Sequence, residues 1–197
     1  MNLWPESIQP ESCTFGRSRN DAAQESPVTR VRQIHRRGRP VWTASINWKV
    51  QPRQVSEARF QIESAYKELA STLLRDYGAP RVTRTEDVKV NTAAAIGDTS
   101  VSSKGWTVSV TGVVAAGQYI QIGHRLYTVS AAANSNGSGI ATISLRTPIV
   151  EPALANDVIE IRAPACAMRP TSTDWMGSRS WDEGLWSVSA EFSERIF

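Results

Sequence analysis

The sequence predicts a mainly β fold that contains one long helix and a small antiparallel β-barrel inserted between the two ends of the chain. Three patterns lead to this prediction. Residues 42–50 and 186–192 alternate apolar and polar side chains with a period of two, as strands do. Residues 55–73 repeat apolar side chains every three or four positions, which is typical of an amphipathic helix. Between residues 88 and 162, short alternating runs are separated by turn residues, as in a small barrel.

Length and composition place the chain among folded proteins. It has 197 residues, of which 41% are hydrophobic, and its net charge is +3. This length fits one large domain or two small ones. The sequence contains neither a long apolar run nor the basic and apolar regions of a signal peptide, so we expect no membrane span and synthesis in a cytoplasm. In that reducing compartment Cys13 and Cys166 are expected to remain thiols.

The clearest strand is residues 42–50, whose apolar side chains share one face with two tryptophans. A sheet built on it is expected to be covered on one side only. The β-branched residues 28–36 are predicted to pair with this strand as a hairpin that turns at Arg37 and Gly38. Residues 1–27, punctuated by proline and glycine, are interpreted as an extended arm that binds a neighbouring subunit.

The predicted helix begins near Ser56, a candidate N-cap, and ends before Gly78 and Pro80. About 20 helical residues span about 30 Å, which is long enough to cover the apolar face of the sheet. The strand at residues 186–192 matches the one at 42–50 in period and aromatic content. We therefore expect a discontinuous first domain, residues 1–87 plus 163–197, with the barrel at 88–162 inserted into it.

Within the inserted segment, six alternating runs are predicted as strands, near Asp98, Trp106, Gln118, Leu126, Ile140 and Asp157. The sequence contains no motif that predicts catalysis. His35 and His124 are the only histidines, and neither lies in a metal-binding or nucleophile-activating pattern. The acids of the inserted segment are interpreted as solvated turn residues. We expect no catalytic, cofactor-binding or metal site, and a protein that is not an enzyme.

Basic and aromatic residues favour an interaction surface instead. Residues 17–39 carry seven arginines against two acids. Such a cluster fits phosphates or a neighbouring subunit, but no aromatic side chain is interleaved to stack on bases. Several of the seven tryptophans lie in polar segments, and Trp and Arg dominate the centres of protein interfaces. The predicted subunit interface comprises Trp4, Ile8, Phe15, Arg30, Arg32, Arg36, Arg37, Arg39, Trp175 and Trp181.

The order of motifs resembles a known family. WPESIQPES at the start, RPVWTASINW, an amphipathic helix, GQYIQIGHRLYTVS at 117–130 and the closing WSVSAEF are similar to minor tail proteins of long-tailed bacteriophages, of the distal-tail or tail-tip type. The resemblance implies a tail-tube-like β-sandwich flanked by an α-helix. It also implies a homohexameric ring in the virion that joins the tail tube to the tip or baseplate hub, with DNA passing only through the lumen and no catalytic residues or cofactors.

Two other functions remain open on the sequence. The Arg17–Arg39 stretch could contact DNA in a tail or head–tail connector component. The inserted segment could bind carbohydrate at the tail tip through Trp106, Tyr119 or Tyr127. These aromatic residues are equally well explained as the core of the barrel.

Overall fold

The computed structural model describes residues 2–3, 8, 10–18, 22–25, 32–35, 39–51, 54–58, 60, 72–79, 82–171, 176–179 and 185–194. Of these residues 49% are in strands and 4% in helix. The chain divides into two compact units: the first comprises Met1–Gly78 and Ala167–Phe197, and the second comprises Ala79–Cys166. The predicted breaks at residues 88 and 162 lie inside the second unit.

The strands of the first unit are β1 Asn2–Leu3, β2 Ser12–Ser18, β3 Ala22–Glu25, β4 Arg32–His35, β5 Val41–Val50, β6 Thr72–Arg75, β13 Ala165–Pro170, β14 Met176–Arg179 and β15 Trp186–Glu194. Seven of them form one sheet with the order β1-β6-β13-β15-β5-β2, in which β14 also pairs with β15. A separate two-stranded sheet pairs β3 with β4.

The two long strands form as the alternation predicts. β5 and β15 pair antiparallel from Trp186↔Val50 to Ser193↔Thr43, so strands from the two ends of the chain belong to one sheet. Their shared apolar face is buried, and Trp48 and Phe192 meet edge to face with ring centroids 6.2 Å apart. Edge-to-face packing is a favoured aromatic geometry, so this contact fixes the middle of the core.

The predicted long helix, and with it the sandwich flanked by a helix, is wrong. Among the described residues, helical structure is found only at 54–58 and 60; residues 59 and 61–71 lie outside the described part of the chain. Leu73, assigned from its spacing to the end of the helix, lies in β6. There Thr72 and Leu74 are buried while Leu73 and Arg75 are half-buried, a period of two. Sheet hydrogen bonds and this two-sided packing override the helical spacing.

The predicted partner of the Trp42 strand is also wrong. β5 pairs with β2 on one side and β15 on the other, whereas β4, from the predicted hairpin segment, pairs with β3. β2 comes from the segment interpreted as an arm. Its residues Cys13, Phe15 and Arg17 pair opposite Ile46, Ala44 and Trp42, which places them on the buried face. Pairing with β2 therefore extends the buried face of β5 by one strand.

The second unit has one core but no closed barrel, contrary to prediction. Its strands are β7 Lys89–Thr92, β8 Ser100–Lys104, β9 Tyr119–Ile122, β10 Arg125–Thr128, β11 Ile140–Ser144 and β12 Ile159–Glu160. They form two three-stranded antiparallel sheets, β10-β9-β12 and β11-β8-β7. Isolated bridges, such as Val129↔Leu145, stand where a barrel would need continuous ladders. The strands are only two to five residues long, so the ladders end before the sheet closes.

One predicted strand of this unit, near Trp106, is a turn instead. Ser109 has a φ of 54°, which interrupts extended structure, and the buried Trp106 indole donates a 2.8 Å hydrogen bond to Ser103 Oγ. The turn predicted at Gly123 is confirmed: with a φ of 60°, Gly123 begins the two-residue connection between β9 and β10.

Three turns in the second unit share one construction. In each, the fourth residue accepts a hydrogen bond from the N–H of the first through its side chain and donates its own N–H to the first carbonyl. The third residue has positive φ: 97° at Gly97, 83° at Gly117 and 74° at Asn156. The turns are Ala95–Asp98, Ala115–Gln118 and Leu154–Asp157. Each precedes a strand, so these closed turns set where β8, β9 and β12 begin.

Candidate subunit interface

Two residues of the predicted interface belong to a group of side chains around Trp42, near the start of β5: Phe15 packs on Trp42, and Arg39 pairs with Glu194, which binds the Trp42 backbone. The Trp42 indole is 5% exposed. The Phe15 ring packs beside it with centroids 5.3 Å apart, and Arg17 Cζ lies 4.3 Å from the indole centroid. A guanidinium over an indole face gains a cation–π interaction that strengthens as water is excluded. Arg17 is thus engaged within its own subunit.

A buried carboxylate completes this group, which we call the Trp42 cluster: Phe15, Arg17, Arg39, Trp42 and Glu194. Glu194 is 8% exposed at the end of β15, and its Oε2 accepts a 3.1 Å hydrogen bond from the Trp42 backbone N–H. Its Oε1 lies 3.9 Å from Arg39 Nη2. Buried carboxylates need such partners. The cluster ties β2, β5 and β15 together where β2 ends and β5 begins.

The opposite face of the same sheet is polar and mostly small. Exposed residues on this face include Ser12, Thr14, Ser45, Lys49, Ser189 and Glu191. Lys49 Nζ is 2.9 Å from Glu11 Oε1, and the Ser187 hydroxyl is 3.0 Å from Asn47 Oδ1. We call this surface the hydroxyl face. Its hydroxyl, amide and carboxylate oxygens can accept hydrogen bonds from a donor-rich partner.

The remaining predicted interface residues fall in different places. Ile8 is 2% exposed within its own chain, and Arg32 lies on β4. Six predicted residues lie outside the described part of the chain: Trp4, Arg30, Arg36, Arg37, Trp175 and Trp181. Of the four predicted residues that the structure describes, Phe15 and Arg39 belong to the Trp42 cluster. Sequence reasoning did not select Trp42 or Glu194, although Glu194 is marked by a charge at the end of an apolar face.

The second unit keeps its aromatic residues inside. Trp106 and Tyr127 are buried in its core, and Tyr119 is half-buried. Its polar network is internal as well: the buried Arg125 Nε is 2.8 Å from Glu151 Oε1. A hydrogen bond from its own backbone N–H lowers the pKa of Glu86, helped by the Thr107 hydroxyl and Arg84. The ion pair and the hydrogen bonds stabilise the unit. Trp106 and Tyr127 cannot stack on a sugar ring because their side chains are buried in the core.

Several other observations concern possible chemistry. No disulfide joins Cys13 to Cys166, and partial burial raises the pKa of the Cys13 thiol. Among the described residues, no three His, Cys, Asp or Glu side chains come together as metal ligands would. Within the same residues, no helix has the length and apolar character needed to cross a bilayer. Neither models of known protein families nor curated proteins match this chain.

Proposed function

We propose that this chain is a structural virion protein that forms a ring at the distal end of a long-tailed phage tail. The ring joins the tail tube to the tip or baseplate hub, with a copy number of six taken from the family resemblance. The chain is made in the host cytoplasm and acts by assembly rather than by catalysis. Support comes from the motif order in the sequence and from one feature of the first unit.

That feature is the position of β2 at the end of the seven-stranded sheet. β2 is seven residues long and, among the described strands, pairs only with β5. Its sequence, SCTFGRS, contains no proline, and its one charged residue, Arg17, lies near its end. A Cβ added at Gly16 would meet nothing within 4 Å. Such an edge can accept a strand from a neighbouring subunit, and a closed ring of copies covers every edge.

The described residues favour this function over the two alternatives. Arg17 and Arg39, from the basic stretch, are held by Trp42 and Glu194, so their charges are already engaged within the subunit. Trp106 and Tyr127, the aromatics considered for carbohydrate binding, are buried in the core of the second unit. We therefore advance no DNA-binding or sugar-binding function.

Light scattering and native mass spectrometry over a range of concentrations test the proposal. The expected result is a discrete oligomer. Thr14→Lys places a charge on the exposed edge strand and should raise the concentration needed for assembly. Thr142→Lys is the matched control, because it makes the same substitution at an exposed strand residue of the second unit, away from both the β2 edge and the hydroxyl face. A protein that stays monomeric at every concentration and is absent from purified virions would refute the proposal.

A further inference from the structure

The two-stranded sheet β3–β4 continues the pairing of β2 with β5. The β2–β5 ladder ends at Ser18↔Val41, and the β3–β4 ladder begins at Ala22↔His35. Both ladders are antiparallel and join the same two stretches of chain, 12–25 and 32–50. Their registers differ by two residues, because three residues separate the ladders on the first stretch and five on the second. We call residues 19–40, which include β3 and β4, the ribbon.

The root of the ribbon is held by the Trp42 cluster. Arg17 and Arg39 flank the points where the chain leaves β2 and returns to β5, and they contact Trp42 and Glu194. A two-stranded ribbon has little stability of its own in water. Anchoring one end in the core reduces the entropy that the ribbon loses when it binds a partner. The segment that carries β3 and β4 is therefore preceded and followed by residues with fixed contacts, Arg17 and Arg39.

Charge separates the ribbon from the rest of its unit. The ribbon, residues 19–40, carries six arginines and two acids, Asp21 and Glu25. The remainder of the first unit carries nine basic and eleven acidic residues, so its net charge is −2. Each copy thus combines a cationic ribbon with an anionic body. Opposite net charges steer two copies together and favour contacts between ribbon and body.

We infer that the ribbon of one copy lies on the hydroxyl face of the first unit of a second copy. This inference rests on the proposed function, and it names the surfaces that meet. Arginine presents five donors in a rigid fork and has no acceptor. The hydroxyl face presents oxygen acceptors and the exposed carboxylate of Glu191 on a surface of mostly small side chains. Donor-rich and acceptor-rich surfaces are complementary without a large apolar patch.

DNA is the less suitable partner for the ribbon. Residues 17–39 contain no Phe, Trp or Tyr on which a base could stack. Binding of a labelled duplex by the intact protein at moderate salt, with no oligomer present, would overturn the inference in favour of DNA.

Removing the ribbon is the first experiment. Replacing residues 19–40 with Asn-Gly joins Ser18 to Val41, the last pair of the β2–β5 ladder, through a two-residue hairpin turn. The sheet should fold, because Trp42 N–H keeps its bond to Glu194. We expect the shortened protein to be monomeric under conditions in which the intact chain assembles. Assembly of both at the same concentration would overturn this inference alone, whereas a monomeric intact chain would refute the proposed function as well.

Charge reversals decide the question even if the shortened protein does not fold. Arg32→Glu on the ribbon and Glu191→Lys on the hydroxyl face should each weaken assembly by about tenfold or more. Arg146→Glu and Glu57→Lys are the controls, since both residues are exposed and lie on neither surface. Raising ionic strength from about 0.05 M to about 0.5 M should weaken assembly of the intact chain. Equal effects of test and control substitutions would contradict the inference.

Discussion

Gly105 is a position in the second unit where one added methyl group should be strongly destabilising. Its φ is 95°, a backbone conformation that L side chains rarely adopt. An ideal Cβ at this position would lie 2.4 Å from the backbone oxygen of Asp87. That oxygen belongs to the chain entering β7, and the next residue, Val88, is buried in the core. Relief of the overlap therefore requires movement of backbone rather than rotation of a side chain.

The expected cost of Gly105→Ala has two parts. The positive φ costs about 1–2 kcal/mol for a residue with a Cβ. Overlap with fixed neighbours adds about 1–3 kcal/mol, as overpacking of a core does. Together they lower the free energy of unfolding of the second unit by about 2–5 kcal/mol. Gly97 provides a matched control, because its φ is 97° and a Cβ there would meet nothing within 4 Å. Gly97→Ala should cost only the first part.

Hydrogen exchange followed by mass spectrometry is the suitable assay. Trp106 is the only tryptophan of the second unit and six others lie elsewhere, so whole-chain fluorescence mixes the two units. Exchange at Ile120 and Ile143, both buried in the second core, reports the opening of that unit alone. Equal losses of protection in Gly105→Ala and Gly97→Ala would show that the close approach of Asp87 carries no energy, and would refute the reasoning.

Three further predictions concern single side chains. Glu194→Ala leaves the buried Trp42 N–H without its acceptor and should cost about 1–3 kcal/mol in urea unfolding, while Glu194→Gln, which keeps an oxygen, should cost less; equal losses would contradict this. Asn156→Ala should lower thermal stability by about 1–2 kcal/mol because φ is positive, whereas Asn156→Gly should stay within about 1 kcal/mol of the natural chain. Burial raises the pKa of Cys13, so its thiolate forms at higher pH in the folded protein than in the unfolded protein. The rate of Cys13 alkylation, measured by peptide mass spectrometry, should therefore rise at higher pH in buffer than in urea. Identical pH profiles of the alkylation rate in buffer and in urea would contradict this.

The strands that the sequence predicts best are those whose pattern has one physical explanation. β5 and β15 alternate over nine or ten residues, and a half-buried strand is the simplest structure with that period. Leu73 shows the limit of such patterns. Its spacing from preceding apolar residues matches a helix, yet Thr72 to Arg75 also alternate, and pairing within the sheet decides between the two. That pairing involves residues distant in sequence, so it cannot be predicted from the local pattern.

The candidate interface was only partly predictable for a related reason. Phe15 and Arg39 could be selected as an aromatic and an arginine in polar surroundings. The partner of Phe15, Trp42, is brought to it by the register of β2 on β5, whereas the partner of Arg39 is Glu194. Glu194 reaches Trp42 N–H from a strand more than one hundred residues away in sequence. The contacts of Phe15 and Glu194 with Trp42 cannot be derived from composition or periodicity, because both depend on which strands pair with β5.

The topology explains how one sheet can carry two additions without losing its core. β2 and β5 are neighbours in the sheet, and the ribbon lies between them in sequence. β6 and β13 are also neighbours, and most of the second unit lies between them. β2 and β5 are antiparallel, and adjacent antiparallel strands need only a short turn to connect them, so a longer segment between them leaves the ladder unchanged. Additions at these two connections therefore leave the buried face of β5 and β15 unaltered, and the ribbon and the second unit can vary in length and charge independently of the sheet that holds them.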